Sequence, residues 1–122
     1  MKKNKFVLIT GACGYIGFQT SVFFLKKGYN VIGVDKNLNI KRKIQNKSIK
    51  YYKSDFANKR MLEKIFSNNL IIAVVHLAAL TNVKDSIKSK KKYLENNYLK
   101  TINLFNYCNK YKIKSFLFSS SA

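Results

Sequence analysis

Proline and tryptophan are absent from the 122 residues, which contain only two cysteines, one histidine and five carboxylate side chains. Cys13 and Cys108 stand far apart, fitting neither a disulfide framework nor zinc-ligand spacing, so both are expected to be reduced, buried thiols and no metal site is expected. No apolar stretch approaches the ~20 residues needed to cross a bilayer. Lys2, Lys3 and Lys5 ahead of Phe6-Val-Leu-Ile imitate a secretory signal, but the apolar run breaks at Thr10-Gly11, short of the usual ~7–15 residues. With no internal repeat and no Gly/Ser linker, the expectation is one cytoplasmic domain, or part of one. The 47% of hydrophobic residues suffices for an apolar core.

The shortage of acids leaves a formal charge of +19. Such an excess can mark a binder of nucleic acid or anionic membrane. The densest basic run, residues 88–92, nevertheless has no interleaved aromatics of the kind that stack single-stranded bases. Abundant lysine, asparagine and isoleucine fit the codon bias of an AT-rich genome, spread over solvated faces. Neither nucleic acid nor membrane is expected as a partner.

Residues 6–9 form a short apolar run that ends at a glycine cluster, after which Phe18, Val22, Phe23 and Leu25 recur at roughly helical spacing. That pattern predicts strand, turn, helix. Gly28, after Lys26-Lys27, suits the left-handed position that ends a helix. Further strands are predicted over 30–34, 49–52, 71–75 and 115–119, with helices over 58–66 and 87–112. The run at 71–75 is uniformly apolar, as a strand covered on both faces requires. Strands alternating with helices imply right-handed crossovers and a doubly wound parallel α/β sheet, order 3-2-1-4-5, with the chain ending after the fifth strand.

Gly11-Ala12-Cys13-Gly14-Tyr15-Ile16-Gly17 falls where the first strand turns into the first helix. Gly11 permits the tight turn, Gly14 lets the backbone approach a pyrophosphate at the positive end of the helix, and Gly17 allows close packing of that helix. Asp35 closes the second strand, where an acid can accept hydrogen bonds from ribose hydroxyls and would repel a 2′-phosphate. NAD is therefore favoured over NADP, with the neighbouring Lys36 acting in the opposite sense. The positive field would attract a pyrophosphate.

The run Val7-Leu-Ile-Thr-Gly-Ala-Cys-Gly-Tyr-Ile-Gly17 resembles the extended short-chain dehydrogenase/reductases of the NAD-dependent epimerase/dehydratase type, whose glycine motif has this wide G-x-x-G-x-x-G spacing. Gly-Tyr-Ile-Gly is especially common in their UDP-glucose 4-epimerase subgroup. Ser54-Asp55, His76-Leu-Ala-Ala-Leu80, Glu95-Asn-Asn97 and Phe118-Ser-Ser-Ser-Ala122 agree with that subgroup in order and spacing, so the resemblance covers essentially the whole chain.

The resemblance implies a Rossmann-type NAD-binding domain over residues 1–122. In it Tyr15 and Ile16 join the three glycines at the cofactor, and Asp55 meets the adenine amino group. Leu77, Ala78 and Ala79 line the cofactor, Asn96 or its neighbour Asn97 faces the nicotinamide side, and Ser121 is the catalytic serine. His76, by contrast, reads as a core histidine. Thr81, Lys91 and Lys100 depart from the subgroup, standing where it commonly has lysine, proline and glycine. None of the eight tyrosines has a lysine four residues later, so the family's Tyr-x-x-x-Lys pair is missing. The implied function is the NAD-binding N-terminal part of a nucleotide-sugar epimerase. Such an enzyme interconverts UDP-galactose and UDP-glucose by transient oxidation at C4, taking a UDP-sugar and able to form a homodimer when full-length. This chain alone is expected to be inactive. The alternatives are another sugar-nucleotide epimerase, a 4,6-dehydratase or a catalytically dead dinucleotide-binding fragment.

Overall fold

β1 (Lys5–Thr10) passes through the glycine loop into α1 (Tyr15–Lys26), followed by β2 (Asn30–Asp35), a 3-10 turn (Ile40–Arg42), β3 (Ile49–Lys53), α2 (Lys59–Asn68) and β4 (Leu70–His76). Then come α3 (Lys90–Leu94), a π-helical stretch (Glu95–Leu99), α4 (Lys100–Lys110) and β5 (Ser115–Phe118). This computed structural model describes residues 5–78 and 90–118. All four strand pairs are parallel, in the order β3-β2-β1-β4-β5. The alternating strand and helix signals predict this sheet, because parallel neighbours need a crossover of a dozen or more residues.

Side chains along the central strands divide between two cores. Val7 and Ile9 of β1 point to one and Leu8 to the other, and on β4 Val75 and Val74 divide in the same way. The first core is closed by Phe24 and Leu25 of α1. The second is closed by Leu62, Ile65 and Phe66 of α2 with Leu104 and Cys108 of α4. Cover on both faces is the reason these strands read as continuous apolar runs. Each large side chain so buried contributes roughly 1.5–3 kcal/mol. Cys13 and Cys108 are free and buried, and burial pushes the Cys108 thiol up to about 11. Such thiols are poor nucleophiles.

Local signals set most boundaries. Asn58 caps α2, its Oδ1 accepting from the Met61 N–H at 2.9 Å. Gly28, at φ +90°, takes the left-handed position after α1. The helix predicted over 87–112 differs from what forms: its described part starts at Lys90 and winds as a π-helix through Glu95–Leu99, a local widening that a hydrophobic period does not register. β5 forms one edge of the sheet and leaves Leu117 and Phe118 exposed. Among the described residues no helix is long and apolar enough to cross a membrane.

Candidate functional site

Strand order reverses between β1 and β4, and α1 and α4 cover opposite faces of the sheet. That arrangement opens a crevice at the carboxyl ends of the strands. A cleft of about 490 Å³ lies there, with Gly11, Gly14, Tyr15, Ile16 and Gly17 along one wall. The tip of β2 supplies Asp35 and Lys36, the segment after β3 supplies Ser54 and Phe56, and Leu77 and Ala78 follow β4.

The three glycines meet different surroundings. Gly11 has φ +69°, and a β-carbon there would come within 2.9 Å of the Ala78 nitrogen. At Gly17 it would stand 2.0 Å from the Gly11 carbonyl oxygen, so the start of α1 rests on the backbone of its own loop. Gly14 is different: a β-carbon would meet only the Gly11 oxygen, at an ordinary 3.4 Å. Gly14 precedes α1 without a side-chain cap. The first N–H groups of a helix have no intrahelical acceptor and carry the positive end of its dipole. An anion can therefore be seated there without displacing any side chain.

Asp35 binds the loop as well as facing the cleft. Its Oδ2 accepts the Cys13 N–H at 2.9 Å and its Oδ1 accepts the Asn37 N–H at 3.1 Å. The sequence reading missed this tie, because a bond between a strand-end carboxylate and a loop N–H depends on distance in space.

Asp55 is placed differently from its neighbours Ser54 and Phe56. It borders a second cleft, together with Lys59, Lys100 and Asn103. Lys100 donates to Asp55 Oδ2 at 2.6 Å, Lys36 approaches the same oxygen at 3.6 Å, and Oδ1 accepts the Ala57 N–H at 2.8 Å. Burial opposes ionisation of Asp55, but these donors outweigh it, the Lys100 bond foremost, and hold the carboxyl below its ordinary range. Lys100, read from sequence only as a departure from glycine, thus has a partner. With side-chain exposures of 31% and 27%, solvent screens the pair, so Lys100→Met should cost about 1 kcal/mol at neutral pH. A lowered carboxyl stabilises the fold above its unfolded pKa of 3.8, and that contribution is lost as pH falls through the lower folded value. Urea denaturation should show the gap between parent and variant closing in acid; a gap unchanged well below pH 3.8 would discount the pair.

Among the other sequence-derived site residues, Asn96 lies in the π-helical stretch. Ala79 and Ser121 lie outside the described residues. His76 is buried directly behind the cleft, and burial pushes its pKa down to about 4. Phe56 and Asn37, which line the cleft, were not singled out from sequence. Their signal is adjacency, since Phe56 follows Asp55 and Asn37 stands two residues past Asp35.

Comparison with known proteins agrees with this geometry. The UDP-glucose 4-epimerase of Schizosaccharomyces pombe is 39% identical over 123 aligned positions, covering 95% of this chain and 35% of that protein. The dTDP-D-glucose 4,6-dehydratase of Dictyostelium discoideum is 37% identical, covering 94% and 28%. Among solved structures, the UDP-glucose 4-epimerase of Bifidobacterium longum in complex with NAD+ and UDP superposes with a TM-score of 0.86 at 35% identity, covering 96% of this chain and 37% of that one. The chain thus spans about a third of the length of these relatives. The family profile described as NAD dependent epimerase/dehydratase matches residues 7–122, which include the glycine loop, Asp35 and the segment after β4, and the chain belongs to that family.

Proposed function

We propose that residues 1–122 are the NAD-binding N-terminal part of a nucleotide-sugar epimerase, most similar to UDP-glucose 4-epimerase. The full-length form would be cytoplasmic, interconvert UDP-galactose and UDP-glucose, and be able to form a homodimer. The observation that carries this reading is the glycine loop at the head of α1 facing the Asp35 carboxylate across one cleft. The residues fit NAD: Gly14 leaves room for a pyrophosphate, and the carboxylate meets ribose hydroxyls but repels a 2′-phosphate. Leu77 and Ala78 line the cleft with backbone packed closely on Gly11, while Tyr15 and Ile16 line it beside Gly14. What NAD supplies in such a protein is removal and return of a hydride at C4 of the sugar. Asn96, Asp55, Ala79 and Ser121 keep the roles that the resemblance gives them, Asp55 with its carboxylate shared between the adenine and Lys100.

NAD should raise the melting temperature of the chain more than NADP does. Asp35→Asn is the informative variant, because the amide can still accept the Cys13 N–H while lacking the charge that repels a phosphate. A charged hydrogen bond is typically worth ~1.5–3 kcal/mol, so the preference for NAD should shrink by about tenfold in affinity. Equal protection by the two cofactors in the parent would remove Asp35 from the site. Because the dehydratase of Dictyostelium discoideum matches the same region, the reaction is tested on the full-length form with UDP-galactose and dTDP-glucose side by side. Conversion of the second alone would make the protein a dehydratase.

A further inference from the structure

The only histidine of the chain is buried behind the cleft, against Phe56, which lines it. Its Nδ1 lies 2.6 Å from the Thr10 hydroxyl at the end of β1, and its Nε2 lies 3.0 Å from the Thr101 hydroxyl of α4. The Thr10 hydroxyl oxygen also accepts two backbone donors, the Leu77 N–H at 3.0 Å, which is shared with the Thr10 carbonyl oxygen at 3.2 Å, and the Ala78 N–H at 3.1 Å. A hydroxyl has two lone pairs and one proton. With both lone pairs taken, Thr10 has only its proton left for the ring. Nδ1 must then be the acceptor, and the proton of the neutral imidazole must sit on Nε2, where it is donated to Thr101. Phe56 packs against the ring at 4.5 Å and Phe118 stacks on it at 5.7 Å between centroids, which fixes its plane.

We propose that His76, locked as the Nε2–H tautomer, is the positioning residue of the cofactor cleft. It orients the Thr10 hydroxyl to receive the Leu77 and Ala78 N–H groups, and so holds the cleft floor against Gly11. The fit there is tight: a single β-carbon on Gly11 would come within 2.9 Å of the Ala78 nitrogen and of the Leu77 carbonyl carbon. Through Nε2 the same ring ties this floor to α4, the helix that begins with Lys100 and its Asp55 partner. One side chain therefore links β1, the exit of β4 and α4. That this floor bears NAD rests on the reading under Proposed function, whereas the tautomer and the hold on Leu77 and Ala78 do not.

The test uses the whole chain labelled with 15N-histidine, which yields a single imidazole spin system. At neutral pH, Nδ1 is expected to show the shift of an unprotonated nitrogen and Nε2 that of a protonated one. A proton on Nδ1, an average of the two tautomers or an imidazolium would overturn the proposal. Amide exchange then reads the positioning without any ligand. His76→Asn, whose side-chain oxygen can replace the Nδ1 acceptor, should keep Leu77 and Ala78 protected. His76→Leu should speed exchange of the Ala78 amide by about tenfold or more, the scale of one lost hydrogen bond, while amides of α2 stay protected. Exchange of Leu77 should speed up less, because its N–H keeps the Thr10 carbonyl as an acceptor. Equal protection in Asn and Leu variants, or loss spread evenly over the whole chain, would reduce His76 to an ordinary core residue. NAD titration of the same proteins adds the functional arm, with affinity near that of the parent for Asn and about tenfold weaker for Leu. Should the parent bind no NAD, the cofactor reading fails and the positioning role still stands or falls on exchange. Should the parent bind and both variants bind equally, the positioning role fails and the cofactor reading stands.

Discussion

Between pH 6.5 and pH 4 the chain will lose about 3 kcal/mol of stability through His76. Burial lowers this imidazole from 6.5 to about 4, so over that window unfolded chains take up a proton that the fold refuses. Every tenfold weakening of proton binding by the folded state is worth ~1.36 kcal/mol. The sign follows from proton counting: above pH 6.5 neither state is protonated and nothing is lost, whereas below about 4 the full penalty applies. The ring has no room for the second proton, since Thr10 already directs its own hydrogen at Nδ1 and has both lone pairs engaged. Urea unfolding across this range should trace the decline in the parent. His76→Asn, which cannot titrate, should give a much flatter curve. Asp55 acts below 3.8 and so falls outside the window. Matching slopes for parent and variant would show that the fold accommodates the imidazolium.

Two substitutions three residues apart will have opposite consequences. Gly17→Ala should destabilise the fold by about 3 kcal/mol, the upper part of the usual cost of forcing an extra group into packed structure. Its β-carbon would stand 2.0 Å from the Gly11 carbonyl oxygen, and that oxygen is backbone rather than a movable side chain. Gly14→Val should leave melting within a few degrees of the parent, because a β-carbon meets ordinary contact there. It should weaken NAD binding on the order of 100-fold, or ~3 kcal/mol, by standing where the pyrophosphate approaches. Thermal melts paired with NAD titration separate the two effects. A stable Gly17→Ala protein would show that the loop can give way, and a Gly14→Val protein with parental affinity would place the phosphates elsewhere.

The sheet was legible in the sequence wherever burial on both faces left a continuous apolar run, as at Val74-Val75 in β4, and wherever a glycine marked the end of a helix, as at Gly28. These signals act within a few residues, so the order of the letters carries them. The π-helical stretch at Glu95–Leu99 was not legible, because one wider turn scarcely alters the spacing of apolar positions. The glycine loop and Asp35 were visible as a motif, but the bond from Cys13 N–H to Asp35, which fastens the two, was not.

His76 shows most clearly where the sequence stops. Composition and position make it a core histidine, and it is buried. That its ring stands between Thr10 and Thr101, 66 and 25 residues away, is a product of the parallel β1–β4 register, which sets Thr10 beside His76, and of the packing that brings α4 over them. By itself the sequence determined the strands, most of the helices between them and the glycine wall of the cleft, since local periodicity and backbone freedom govern those, and the alternation of strands with right-handed crossovers implied the sheet order. Only the tertiary structure decided that Lys100 meets Asp55 and that Thr10 has no lone pair left for a second imidazole proton, because hydrogen-bond partners are chosen by distances between segments that only folding brings together.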